Sequence, residues 1–387
     1  MSRILILADT FPPNRGGSEA YLVVLAEGLA QRGHDVQVFT PAAQVKDHSI
    51  AHHANLQVSR STIWKKLQLL GAHQNKYVNR ISRLQILPLI AGRSLGRKYD
   101  VVIAGHLLPA GIVAGLLKKL KFCKRVVVIT YGEEVATYRH GDRMARLMRK
   151  AFAAADAITV LTQAAFEEIK EVAPDCASKV TIVPPSAEIP AEQPAAGIAE
   201  FSGEPIILTV SRLAERKGID TTIRAMKRVM ARFPDAHYYI AGTGPYESVL
   251  RDLISDLDLG ESITLLGPVP DTALLFGRCD MFCMPNRTLP NGEKEGFGIV
   301  FLEAGLHGKP SIAGKSGGAV DAVIDGETGI LVNPGDTEDT AAAILKLAEN
   351  AEYRHQLGAA ALDFAKTFTH ERQVNSFEKL IQSLLQR

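Results

Sequence analysis

Glu295 and Glu303 are separated by seven residues, and Gly296, Phe297, Gly298, Ile299 and Val300 follow the first directly. The glycines let a ligand approach the backbone. The free N–H groups of a helix beginning near Gly298 would point at that ligand and favour a phosphate. An anion alone gains nothing from two carboxylates beside it. A ligand carrying both phosphate and diols does, with Glu295 accepting from sugar hydroxyls and Glu303 from a ribose diol. The spacing by itself also suits a surface helix, so a second group has to decide. Arg212 follows an apolar run, Ile206 to Ser211, and Lys217 with Gly218 opens the next helical stretch. Both cations then stand at the carboxyl edge of one sheet, Arg as a bidentate fork for phosphate oxygens and Lys as a mobile point charge. A departing pyrophosphate needs such neutralisation. A third feature is the loop T-F-P-P-N-R-G-G, Thr10 to Gly17, which leaves the first strand for the first helix. It is not the dinucleotide G-x-G-x-x-G fingerprint. It is still a glycine-rich helix start, and Gly16 and Gly17 would approach a diphosphate. Gly242 to Gly244 reads as a tight turn, and the backbone near Val269, in Gly267 to Pro270, as a place to meet a nucleobase edge.

The elements that hold these residues repeat as strand, loop and helix. Buried strands are expected at Ile4 to Ala8, Val36 to Thr40, Val101 to Ala104, Val126 to Thr130, Ala157 to Leu161 and Val180 to Val183. Apolar runs between helices predict a parallel sheet covered on both faces. Composition shifts to Pro, Ala and Glu between Pro184 and Pro205, which reads as a linker. The pattern then restarts, with strands at Ile206 to Ser211, Tyr238 to Ala241, Ile263 to Leu266, Met281 to Met284, Ser311 to Ala313 and Ile330 to Val332. The expectation is an α/β protein of two Rossmann-like, doubly wound parallel-sheet domains facing a central cleft. A first domain would span 1–190 and a second 191–369. An amphipathic helix, 370–387, would pack back on the first domain. Ligands are expected beyond the carboxyl ends of both sheets.

The length of 387 residues fits two cores better than one. Hydrophobic residues make up 46% and charged residues 22%, a globular balance that excludes disorder, collagen and coiled coil as the main theme. Four cysteines cannot form a disulfide framework, and a reducing cytosol is the natural setting. No apolar run reaches the roughly 18 residues of a spanning helix. Charge is uneven: residues 1–190 carry 25 Lys and Arg against 15 Asp and Glu, whereas the rest carry 19 against 27. The basic excess gathers in Arg60 to Lys98, Lys118 to Arg125 and Arg139 to Lys150. Such stretches suit either a solvated helix face or an anionic membrane surface. No nucleic-acid motif or aromatic interleaving accompanies them, so nucleic acid is not an expected partner. A cytoplasmic protein, peripheral on the inner face of the cell membrane, is the expectation.

Taken together, the chain resembles glycosyltransferase family 4 enzymes of the GT-B architecture, of the phosphatidylinositol mannosyltransferase type. The resemblance runs nearly end to end. It rests on Gly16-Gly17, S-R-L with Arg212, R-K-G with Lys217, G-x-V at Gly267 and Val269, and E-G-F-G-I-V-F-L-E from Glu295 to Glu303. Gly317-Gly318 and D-G-x-T-G at Asp325 to Gly329 complete it. It implies that Arg212 and Lys217 hold a donor diphosphate, Glu295 and the amides of Phe297 and Gly298 the transferred sugar, Glu303 the ribose, and Val269 the base. It implies retained anomeric configuration, with Glu295, Arg212 and Lys217 acting in the reaction and no metal cofactor. It implies that 1–190 is the acceptor-binding domain and 191–369 the nucleotide-sugar-binding domain, with GDP-mannose favoured as donor, ahead of UDP-sugars, and a lipid-linked or phospholipid hydroxyl as acceptor. Two departures stand out. Where relatives often have His-Gly, this chain has Tyr131, Gly132, Glu133 and Glu134, so Tyr131 or Glu133 would take over the cleft histidine's part. Where relatives often have Glu, it has Asp321. His106, just past the apolar run Val101 to Ala104, is a further candidate, equally suited to a structural role. A non-catalytic nucleotide-sugar or glycan sensor on the same scaffold is the rival reading, and a nicotinamide dehydrogenase the third.

Overall fold

The computed structural model describes residues 1–14, 16–42, 53–62, 98–139, 142–188, 201–269 and 271–387. Strands β1 (Arg3–Leu7), β2 (Asp35–Pro41), β3 (Leu56–Ser61), β4 (Tyr99–Ala104), β5 (Cys123–Ile129), β6 (Ala157–Val160) and β7 (Val180–Ile182) form a sheet ordered β3-β2-β1-β4-β5-β6-β7. Each pairing in it is parallel. Ile4 to Leu7, Val101 to Ala104 and Val126 to Ile129 are buried at every consecutive position. Side chains alternate between faces along a strand, so both faces of this sheet are covered. β3 has no counterpart among the expected strands. It lies at the sheet edge, and its sequence L-Q-V-S-R-S mixes polar residues that leave no apolar run.

The second sheet is built the same way. β8 (Ile206–Val210), β9 (His237–Ala241), β10 (Ile263–Gly267), β11 (Met281–Met284), β12 (Ser311–Gly314) and β13 (Gly329–Val332) are ordered β10-β9-β8-β11-β12-β13, again all parallel. Strand order reverses between β1 and β4 in the first sheet and between β8 and β11 in the second. At such switch points the loops beyond the carboxyl ends diverge and leave room for a ligand. Arg212 follows β8, and the segment carrying Glu295 follows β11.

Met1–Ser186 together with His370–Arg387 form one unit, and Ala187–Thr369 the other, each with its own apolar core. The helix His370–Gln386 is anchored in the first unit. Phe377 meets the Tyr21 ring edge-on at 6.1 Å. Gln373 donates to the Tyr21 carbonyl at 3.0 Å and accepts from the Ser186 hydroxyl at 2.7 Å. Val374 lies against Gly28, where a Cβ would collide with it. Glu378 adds an ion pair to Arg32 at 2.9 Å.

Candidate active site

In the second unit the donor-type residues converge. Lys217 ends a short 3-10 turn, Glu215–Lys217, and Gly218 follows in the left-handed region at φ 70°. A Cβ on Gly218 would strike the Pro285 carbonyl just after β11, so glycine alone lets this turn lie against that strand end. Lys217 is not the mobile charge its spacing suggests. It is buried, and its Nζ pairs with the buried Glu295 carboxylate, 78 residues further along the chain. Burial works to raise the Glu295 carboxyl. The Lys217 ammonium, then the Arg216 guanidinium, and the Gly296 N–H outweigh it and hold the group below the usual carboxylate range. The Glu295 carbonyl accepts from Gly318 N–H at 2.9 Å, which ties the Gly317-Gly318 turn to the same segment.

Gly298 caps the helix Ile299–Leu306 at φ 87°. A Cβ there would sit 2.6 Å from the Phe301 ring and would also touch Glu295 Cγ at an ordinary 3.5 Å, so a larger residue would collide with Phe301 at the helix start. Phe297 turns inward and meets the Phe368 ring at 5.8 Å, which leaves the backbone of 296–298, rather than its side chain, to face a ligand. Glu303 lies one turn into the helix. Burial pushes its carboxyl up to about 6, and among the described residues it makes no side-chain hydrogen bond or ion pair. Arg212 is exposed and likewise has no ion-pair partner among the described residues. Val269 is half-buried past β10. Arg287, which sequence spacing does not single out, holds the frame. Its guanidinium meets Asp220 at 2.9 Å and Glu215 at 3.6 Å, and its N–H donates to the Arg216 carbonyl at 2.8 Å.

The first unit gathers a different set at its carboxyl edge. His106, beyond β4, accepts the Asp9 N–H at Nδ1 (3.3 Å) and has Thr10 Oγ1 3.2 Å from Nε2. Burial lowers its pKa to about 4, so the ring is neutral at pH 7, with Nδ1 an acceptor and the proton on Nε2. Tyr131, beyond β5, lies 5.3 Å from the His106 ring and 5.9 Å from that of Tyr21, and its hydroxyl donates to the Ser18 carbonyl at 3.4 Å. Burial raises its pKa well above the ordinary value. Glu133 opens the helix Glu133–Tyr138 and is half-buried. Glu134 beside it accepts from Leu107 N–H at 2.9 Å and Tyr131 N–H at 3.3 Å. Burial pushes its carboxyl up to about 7 against the pull of those two donors and of the Thr130 hydroxyl. Gly16 and Gly17 start the helix Gly17–Gln31, where the first-turn carboxylate of Glu19 already sits. Ser18 donates to it at 2.9 Å, and a Cβ on Gly16 would come within 2.6 Å of it. A diphosphate at this end would share it with Glu19.

Three of the four cysteines, all free and buried, have thiols pushed up to about 12 by burial, which makes them poor nucleophiles at neutral pH. Of the basic stretches, the part from 63 to 97 lies outside the described residues. In the next, Lys118 and Arg125 pair with Asp156 and Lys124 with Asp100, while Lys119 and Lys121 face outward beside Leu120, which is 46% exposed. The helix Asp142–Ala154 buries Ala145, Met148, Ala151 and Phe152 and exposes Arg143, Arg146, Arg149 and Lys150. Among the described residues no helix is long and apolar enough to cross a membrane.

Two parallel α/β sheets, each with one reversal of strand order, define the GT-B class of α/β proteins, and solved structures show the same architecture. Sucrose-phosphate synthase from Thermosynechococcus elongatus superposes with a TM-score of 0.80 at 21% identity over 99% of each chain. An Anabaena protein solved in complex with UDP-glucose gives 0.75 at 20% identity, over 99% of this chain and all of that one. Residues 15–188 match the family model described as Glycosyltransferase Family 4, and 192–364 that described as Glycosyl transferases group 1. A GDP-mannose-dependent alpha-(1-6)-phosphatidylinositol monomannoside mannosyltransferase of Mycobacterium tuberculosis is 30% identical over 377 residues, 94% of each chain. Its Mycolicibacterium smegmatis counterpart is 28% identical over 388 residues, 94% of this chain and 93% of the relative. The chain belongs to glycosyltransferase family 4.

Proposed function

We propose that the protein is a retaining mannosyltransferase that moves mannose from GDP-mannose to a hydroxyl of a phosphatidylinositol-type glycolipid at an anionic membrane surface. The observation that carries this reading is the buried Lys217–Glu295 pair at the start of the helix Ile299–Leu306, with Arg212 exposed nearby in sequence on the strand-end turn. A diphosphate would take Arg212 and Lys217. Glu295, kept ionised by Lys217, would accept from the sugar hydroxyls, and Glu303 from the ribose diol. The amides of 297 and 298 would complete the cradle. These cations and dipoles stabilise a departing GDP, so the reaction would need no metal ion. The donor phosphate, rather than a side chain, would help take the acceptor proton, and no nucleophile is assigned. The mannosyl donor and glycolipid acceptor follow the two mycobacterial-type relatives, and the outward bases of the helix Asp142–Ala154 support docking on anionic lipid.

The test is direct. Purified protein, GDP-mannose and phosphatidylinositol monomannoside in EDTA should yield an α-linked product, and Glu295→Ala should abolish it. A β-linked product would overturn the retaining claim. Donor binding without transfer to any glycolipid would favour the sensor reading. Vesicles rich in anionic lipid should sediment the protein at low salt, and failure to do so would remove the membrane element.

A further inference from the structure

We infer that Glu134 is a positioning residue that fastens the loop beyond β4 to the loop beyond β5, so that His106 and Tyr131 form one preset surface for a hydroxyl-bearing acceptor. This rests on the reading above that the first unit receives the acceptor. The geometry is specific. One carboxyl oxygen of Glu134 takes the Leu107 N–H at 2.9 Å and the other the Tyr131 N–H at 3.3 Å. Those two amides belong to different strand ends, and each lies at or next to one of the two rings.

The rest of the cluster depends on that join. His106 is fixed on its far side by the Asp9 N–H and Thr10 hydroxyl, and Tyr131 by the Ser18 carbonyl. The 5.3 Å ring separation between His106 and Tyr131 therefore reflects anchors at Asp9, Thr10, Ser18 and Glu134, of which Glu134 supplies the one between β4 and β5. Both ring groups are uncharged at neutral pH, one with an Nε2–H and one with a phenolic O–H. Both donors are engaged within the unit, Nε2 with Thr10 Oγ1 and the phenolic O–H with the Ser18 carbonyl, so what the pair offers is two uncharged aromatic rings, which suit the face of a polyol better than an anion. This chain would use a histidine from the end of β4 together with a tyrosine from the end of β5, and Glu134 would set their distance.

Glu134→Gln keeps the shape but puts an amide NH2 against one of the two N–H donors, so one loop is released. Glu134→Asp is too short to reach both. For each, the acceptor KM should rise and kcat fall, with kcat/KM for phosphatidylinositol monomannoside down roughly 10- to 100-fold. The GDP-mannose KM and the affinity for GDP should stay within twofold. A purely structural role would lower all parameters together through loss of folded protein, so melting temperature is recorded alongside. The NMR titration of histidine labelled at Cε1 gives a readout independent of activity. The His106 resonance, assigned by its absence in His106→Asn, should titrate near pH 4 in the wild type and move upward in Glu134→Gln as the loop opens to water. Should Glu134→Gln not fold, Glu134→Asp carries both measurements. Wild-type transfer with unchanged acceptor KM and an unmoved His106 titration in the variants would overturn the inference. Absence of any wild-type transfer would instead defeat the proposed function, and the His106 titration would still decide whether Glu134 holds the loops.

Discussion

The carboxyl edges of the two sheets solve different problems with different chemistry. At the second, charge is concentrated and compensated: Lys217 and Glu295 are buried together, and Arg287 locks the turn that bears Lys217 to the strand end that leads to Glu295. At the first, charge is suppressed. Burial leaves His106 neutral, lifts Glu134 to about 7 and raises Tyr131. A preorganised charged site suits the invariant part of a substrate, a diphosphate, because its dipoles need not reorganise when charge develops. A neutral aromatic and hydroxyl surface suits a polyol whose identity differs between relatives. Under the proposed function, one scaffold would separate how a leaving group is gripped from what is modified.

Breaking the charged edge should have the largest effect. Lys217→Ala and Arg212→Ala are each expected to lower kcat/KM by about 10²–10³, measured with GDP-mannose as the varied substrate. Substitutions at the other edge, His106→Asn or Tyr131→Phe, should leave GDP affinity unchanged. Stability sharpens the same contrast. Glu295→Ala strands a buried ammonium and should cost on the order of 3–5 kcal/mol in urea unfolding, whereas Glu295→Ala combined with Lys217→Met should recover part of that without recovering activity. Arg212→Ala, at an exposed side chain, should barely move the melt.

Effects of pH are smaller and run through named groups. Glu303 is held up to about 6 by burial, and a ribose diol is best received by its ionised form. GDP affinity should therefore rise a few-fold from pH 5 to 7, and Glu303→Gln should flatten that dependence; an unchanged slope in the variant would remove Glu303 from the ribose. In the first unit His106 binds its proton less readily folded, at about 4, than unfolded. The unfolded chain then holds more protons between those values, so this group's contribution is complete above about pH 6.5 and is lost as pH falls toward 4. His106→Asn should make acid unfolding begin at a lower pH, by the smallest margin of these predictions.

The same contrast explains what could be read from the chain. All six strands of the second sheet correspond to apolar runs, and the stretch from Glu295 to Glu303 is contiguous, so local spacing carries much of the donor-type site. The link between Lys217 and Glu295 was not visible, because it spans 78 residues and follows from β8 and β11 being neighbours. Arg287 was missed for the same reason. The first unit was harder. β3 lacks an apolar run, being an edge strand, and Asp9, Glu19 and Glu134 acquire their meaning only when β1, β4 and β5 bring their loops together. A glutamate beside another glutamate in a helix start reads as solvated until two backbone amides from separate strand ends are found on its carboxyl group.

Calorimetric titration of GDP into the wild type and into Arg212→Ala and Lys217→Ala tests the central claim most directly. The account predicts that the wild type binds GDP, that guanosine without phosphates binds at least tenfold more weakly, and that each folded variant loses at least tenfold in GDP affinity. Equal GDP affinity in the wild type and both variants would contradict it.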